Sequence, residues 1–193
     1  MADRIAILGA GAVGGMLGAL LAQAGHDVEL LASERTSTAI NVKGLALRSA
    51  RYGELCVRVP TRPWLTSPVD VLFVAVKAPD LLAALTRVPA PLLHGAVVVP
   101  LLNGVDHVPL LRASLPQAAV VPMTVAVEAT RIEPGVIEHV SPFADYGVSA
   151  QHLGMAVDPG ALLRGAGLDV DSSAPDDASC CGASCPFLPP SHC

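Results

Sequence analysis

Arg4-Ile5-Ala6-Ile7-Leu8-Gly9-Ala10-Gly11-Ala12-Val13-Gly14 is an apolar run that stops at a glycine and then spaces two more as G-x-G-x-x-G. The run reads as a buried strand. Gly14 to Ala24 is rich in Ala and Leu, with Gly25 placed as a helix stop, and Asp27 to Ala32 reads as a second strand. The unit of about 30 residues has the length of a right-handed parallel crossover. Within it Gly9 permits a tight turn, Gly11 lets backbone approach a pyrophosphate, and Gly14 lets the helix pack on the sheet. Ala10, Ala12 and Val13 complete a loop whose free N–H groups face the phosphates of a dinucleotide. The competing reading is a glycine-rich packing contact.

Working outward, Leu45–Arg48 and Leu55–Val59 alternate with period two around Tyr52-Gly53, which predicts a hairpin. Val69 to Val76 is a continuous apolar run, as in a strand covered on both faces. Pro79 to Val88 is its expected helix, Ala96 to Leu102 a further buried strand, and Asp106 to Leu115 a short helix. Val120 to Ala129 and Val136 to Val140 read as strands, and a last helix ends at Leu162–Gly167, before Leu168-Asp169-Val170. Strands alternating with helices predict an α/β fold with a doubly wound, Rossmann-type sheet over residues 1–170. From Asp171 the periodicity stops, so 171–193 reads as an irregular Cys/Pro/Ser tail.

Of 193 residues, 52% are hydrophobic and 15% charged, which excludes a disordered chain. A net charge of −5 without a Lys/Arg run argues against nucleic-acid and anionic-membrane partners. Val88 to Val105 falls short of the roughly 20 apolar residues of a membrane span and is broken by Pro89, Pro91, His94 and Pro100. Arg4 through Ala22-Gln23-Ala24 imitates a signal peptide, but Asp3 weakens its basic end and the glycines have the better use above. A cytoplasmic location is expected. Cys56 stands alone while Cys180, Cys181, Cys185 and Cys193 crowd the tail, which is neither a disulfide framework nor a metal-ligand spacing. No metal is expected. His26, His107 and His139 read as loop or strand-end residues.

Ser33-Glu34-Arg35 follows the second strand, where a carboxylate would hold the ribose 2′-OH of NAD and an arginine the 2′-phosphate of NADP. A hydroxyl and a guanidinium suit the phosphate while Glu34 opposes it, so NADP(H) is favoured over NAD(H); a solvated loop is the other reading. Lys77 in Val76-Lys77-Ala78 and Asn103 in Leu102-Asn103-Gly104 sit at the carboxyl ends of buried strands, where α/β sheets bind ligands. A solvated lysine and a plain Asn-Gly turn are the competing readings.

Taken in order, Gly9–Gly15, Val76-Lys77-Ala78, Leu102-Asn103-Gly104-Val105 and Ala129-Thr130-Arg131-Ile132-Glu133-Pro134-Gly135-Val136-Ile137-Glu138-His139 resemble the 2-dehydropantoate 2-reductase (ketopantoate reductase) family. The resemblance covers residues 3–170, the family's N-terminal domain. It implies NADPH-dependent reduction of a 2-keto acid, ketopantoate to pantoate, in pantothenate and coenzyme A synthesis. It places Lys77 and Asn103 near cofactor and substrate as the catalytic candidates, and Thr130 near the nicotinamide. Ser33 departs from the family's usual arginine, with Arg35 the available replacement. The family continues into a helical domain that supplies a lysine, on a Trp-x-Lys-Leu segment, and a glutamate. A shifted reading frame from Asp176 to Cys185 permits Leu-Trp-Gly-Lys-Leu, so an out-of-frame tail and impaired turnover are expected. Self-association is expected through the surface that the helical domain would cover. The alternative is a stand-alone NADP(H)-binding module without turnover.

Overall fold

The computed structural model describes residues 3–104, 106–148, 155 and 157–172. The opening run is β1 (Arg4–Leu8), followed by α1 (Ala12–Gln23) and β2 (Asp27–Leu31). The chain continues through α2 (Glu34–Lys43), the hairpin β3 (Leu45–Ser49) and β4 (Gly53–Val57), and β5 (Thr61–Arg62). Next come β6 (Val71–Val74), α3 (Leu81–Leu85), β7 (Val97–Pro100), α4 (His107–Ser114) and β8 (Ala119–Val120). The last elements are β9 (Met123–Glu133), β10 (Val136–Val148), α5 (Pro159–Gly165) and β11 (Asp169–Asp171).

Six strands form a parallel sheet in the order β5-β2-β1-β6-β7-β8. Its alternate side chains feed two cores. Ile5, Ile7, Val28, Leu30, Val71, Phe73, Val97 and Val99 point to the face covered by α1. Ala6, Leu8, Leu31, Leu72, Val74 and Val98 point to the face covered by α3 and α4, through Leu81, Ala84 and Leu111. Two covered faces explain the near-continuous apolar runs of the central strands. The doubly wound, Rossmann-type α/β reading of the sequence holds.

The hairpin β3–β4 belongs to a second sheet that the sequence did not reveal. Its order is β11-β10-β3-β4, with β9 on the other side of β10. β10 runs parallel to β3 through Val136–His139 and parallel to β11 through 145–147, while β9 pairs with it antiparallel. The helix α1 lies between the sheets. A Cβ on Gly18 would come within 2.9 Å of Leu30 in the parallel sheet, and one on Gly15 within 2.8 Å of Ile137 in the second. A helix pressed from both sides must be apolar all round, and α1 is.

Several boundaries move. The run 69–76 is strand only over Val71–Val74, and 96–102 only over Val97–Pro100. The expected helix from Pro79 splits into a 3₁₀ turn, Ala78–Asp80, and the short α3. Val120 closes the parallel sheet in β8, and past Pro122 the chain begins β9 in the other sheet. β10 outruns its expected end at Val140, because a register shift between His139 and Ala144 accommodates Pro142, which has no N–H to donate. His139 is therefore mid-strand and fully buried: its Nε2 donates to the Phe143 carbonyl at 2.9 Å, which leaves Nδ1 to accept from the Ser49 hydroxyl at 2.9 Å. His107 is buried at the start of α4. The tail, with its four cysteines, lies outside the described residues from 173 onward. Among the described residues no helix is long and apolar enough to cross a membrane.

α2 stands where the sequence predicts no helix. Ser33 is its N-cap: the hydroxyl accepts from Thr36 N–H at 3.4 Å and donates to Thr36 Oγ1 at 3.1 Å. Near its far end the Asn41 amide donates to the Thr61 carbonyl at 2.8 Å and accepts from the Thr61 N–H at 3.0 Å. One side chain thereby closes the outer edge of β5, the edge strand of the sheet.

Candidate functional site

The parallel ladder continues past the strand ends and aligns the loops that leave them. Gly9 N–H donates to Leu31 O at 2.9 Å, Ala75 N–H to Leu8 O at 2.8 Å, and Leu101 N–H to Val74 O at 2.8 Å. The residues that follow β2, β1, β6 and β7 thus share one edge. On it stand Ser33 and Arg35, the turn Gly9-Ala10-Gly11-Ala12-Val13-Gly14, Lys77 and Asn103.

Sterics decide the turn. Gly9 has φ +110°, a conformation that other residues rarely adopt, and a Cβ there would sit 2.9 Å from the Ala75 carbonyl oxygen. A Cβ on Gly14 would lie 2.0 Å from the Gly9 carbonyl oxygen and 2.9 Å from Ala75 Cβ, so only glycine fits. Gly11 differs. The nearest atom to a Cβ there is the Ala75 oxygen at 4.0 Å, and Gly11 is the N-cap of α1 without a side-chain cap. The first amides of the helix have no partner within it. Gly9 and Gly14 therefore shape the turn, and Gly11 leaves room beside a helix N-terminus suited to an anion.

Lys77 is exposed two residues beyond Ala75 and begins the 3₁₀ turn, its carbonyl accepting from Asp80 N–H at 2.9 Å. Asn103 is exposed in the bend after β7, beside Gly104 with φ +88°. His107 follows on α4, where burial pushes its imidazole below the usual histidine range. Ser33, Glu34 and Arg35 are exposed at the start of α2, and the Ser33 hydroxyl is engaged as the cap.

Thr130 stands apart from this group. It lies in β9 opposite Glu138, among the exposed residues that alternate with the core-facing Val125, Val127 and Ala129. Topology brings forward Thr124 instead, which no sequence motif marks. The chain leaves the carboxyl end of β8 and enters β9 at Met123, so Thr124 falls beside the shared edge, its hydroxyl donating to Gly147 O at 3.4 Å. The signal available was Pro122, which separates the two strands. Among the described residues no group of three or more His, Cys, Asp or Glu side chains could hold a metal ion.

Sheet order, turn and edge define a Rossmann-type domain. Residues 5–147 match the family described as ketopantoate reductase PanE/ApbA, and the chain belongs to that family. The 2-dehydropantoate 2-reductase of Pyrococcus abyssi is 39% identical over 82 residues, 42% of this chain and 27% of that one. The enzyme of that name from Archaeoglobus fulgidus is 38% identical over 78 residues, 40% of this chain and 25% of its own. Among solved structures, the PanE/ApbA family ketopantoate reductase of Ralstonia eutropha JMP134 superposes with a TM-score of 0.80 at 29% identity. That match covers 90% of this chain and 57% of the Ralstonia protein. The matched part is thus about a quarter of each curated relative and little more than half of the solved one.

Proposed function

We propose that these residues form the cofactor-binding part of an NADP(H)-dependent reductase that converts a 2-keto acid of the ketopantoate type to its 2-hydroxy acid, in pantothenate and coenzyme A synthesis in the cytoplasm. The observation that carries this reading is the contrast within the glycine turn: Gly9 and Gly14 are packed shut while Gly11 is open at an uncapped helix end. Family membership supports the reaction class.

The bound nicotinamide would supply the hydride. In this reading the turn from Gly9 to Gly14 holds the pyrophosphate on backbone amides. The N-terminus of α2, with Ser33 and Arg35, receives the 2′-phosphate, since the positive end of a helix and a guanidinium both favour it over a bare hydroxyl. Glu34, exposed in that first turn, opposes it and sets how strongly NADP(H) is preferred to NAD(H). Lys77 places a cation, and Asn103 an amide donor, where a keto acid oxygen gains negative charge. Thr124, beside the shared edge, takes the nicotinamide end that the resemblance gave to Thr130. By the family resemblance, a lysine and a glutamate of a second domain act beside Lys77 and Asn103 in turnover, so cofactor binding is the step that these residues answer for.

The test is Gly11→Asp, studied by calorimetry with NADPH and NADH. An aspartate fits the open space and is a good N-cap, so melting should be unchanged or slightly raised. Its charge opposes the pyrophosphate and should weaken NADPH binding about a hundredfold or more. Equal NADPH affinity in both proteins would overturn the assignment.

A further inference from the structure

Trp64 is the chain's single tryptophan and is 53% exposed, an unusual investment for a protein that is only 3% aromatic. Its position is set from both sides. Two residues earlier, the Arg62 carbonyl accepts from Ala32 N–H at 2.9 Å, extending the β2–β5 pairing to the residue just before Ser33. One residue later, Leu65 is buried with Leu31, Leu81 and Ala84, its N–H donating to Arg87 O at 2.9 Å. Pro63 stiffens the link. Trp64 is thus tethered beside the start of α2, at the end of the shared edge where Ser33 and Arg35 stand. Leu82, 63% exposed next to buried Leu81 at the start of α3, adds apolar surface on that side of the sheet.

We propose that the Trp64 indole is the platform on which the adenine ring of the dinucleotide lies. The inference rests on the dinucleotide reading above and adds a residue to it. A planar base needs an apolar face to replace water, and a tethered indole offers a large one at little entropic cost. It acts as a positioning residue: seated adenine fixes the adenosine ribose, and with it the 2′-phosphate, against α2.

The experiment uses the full chain, with Trp64 as its own probe. The ligand is 2′-phospho-ADP-ribose, which carries adenine and no nicotinamide, followed in parallel by calorimetry and tryptophan emission. Stacking should quench the emission with the midpoint of the heat titration. Trp64→Ala should weaken this ligand and NADPH alike by about tenfold, as expected for one base on one aromatic ring, and Trp64→Phe should recover most of the loss. Calorimetric binding without quenching, or an Ala variant within twofold of the parent, overturns the platform and leaves the dinucleotide reading standing. Absence of heat with both ligands overturns both.

Discussion

At the residue scale, Gly15 carries a consequence separate from the glycine turn. A methyl group there would meet Ile137 Cδ1 and Cγ1 at 2.8 Å, and these are ends of a side chain rather than backbone. Gly15→Ala should therefore cost about 1–3 kcal/mol, the usual range for overpacking, and leave the fold intact. Ile137→Ala, which removes both of those atoms, should alone cost about 2–5 kcal/mol. Combined, the two should cost less than their sum by at least about 0.5 kcal/mol, because the shorter side chain vacates the space the new methyl needs. Chemical denaturation of the four proteins measures this, and strict additivity would mean that the sheets do not grip α1 as described. Such contacts were invisible in the sequence. G-x-G-x-x-G declared why Gly9 and Gly14 are glycine, whereas Gly15 and Gly18 are explained only by partners more than a hundred residues ahead or on the next strand.

Elements repeat the lesson. β1, α1 and β2 were legible because the glycines punctuate them and the crossover is local. α2 was not, since Glu34–Lys43 mixes Thr, Ser, Ile and Val without an apolar period; Ser33 as cap and Gly44 as stop were its only signals. The second sheet was hidden because β3 must find β10 about ninety residues on. The site follows the same rule: strand ends gave Lys77 and Asn103, but nothing local tells which β9 threonine meets the shared edge. α2 has a job besides its N-terminus, through Asn41. Asn41→Ala should cost about 1–3 kcal/mol for two part-buried backbone groups left unpaired, and should raise aggregation by freeing an edge strand. Asn41→Asp should cost at least as much at neutral pH, since one carboxylate oxygen then faces the Thr61 carbonyl. A protonated carboxyl can donate, so this folded state binds a proton more readily than the unfolded chain. The Asp deficit should therefore shrink as pH falls toward about 4. Thermal melts across pH, with light scattering, test both, and a deficit that grows in acid relative to the parent would refute the pairing.

For the whole molecule, sharing α1 makes the two sheets one folding unit. The protein carries its own reporters: Trp64 follows the parallel sheet, while both tyrosines, Tyr52 and Tyr146, belong to the second sheet and its hairpin. Unfolding followed by tryptophan emission and by tyrosine near-ultraviolet dichroism should give one coincident transition. Midpoints separated beyond error would show that the sheets melt independently. The buried helix also imposes a timetable on synthesis. A twelve-residue segment with three glycines has no stable helix of its own, and both its flanks are greasy. One flank can be covered soon after β2 emerges from the ribosome. The other meets the hairpin β3–β4 first and is closed only by Ile137, which at about 5–20 residues per second arrives several seconds later. Throughout that interval a newborn chain presents a partly shielded apolar stripe to the cell, and there a nascent-chain chaperone would find its first hold.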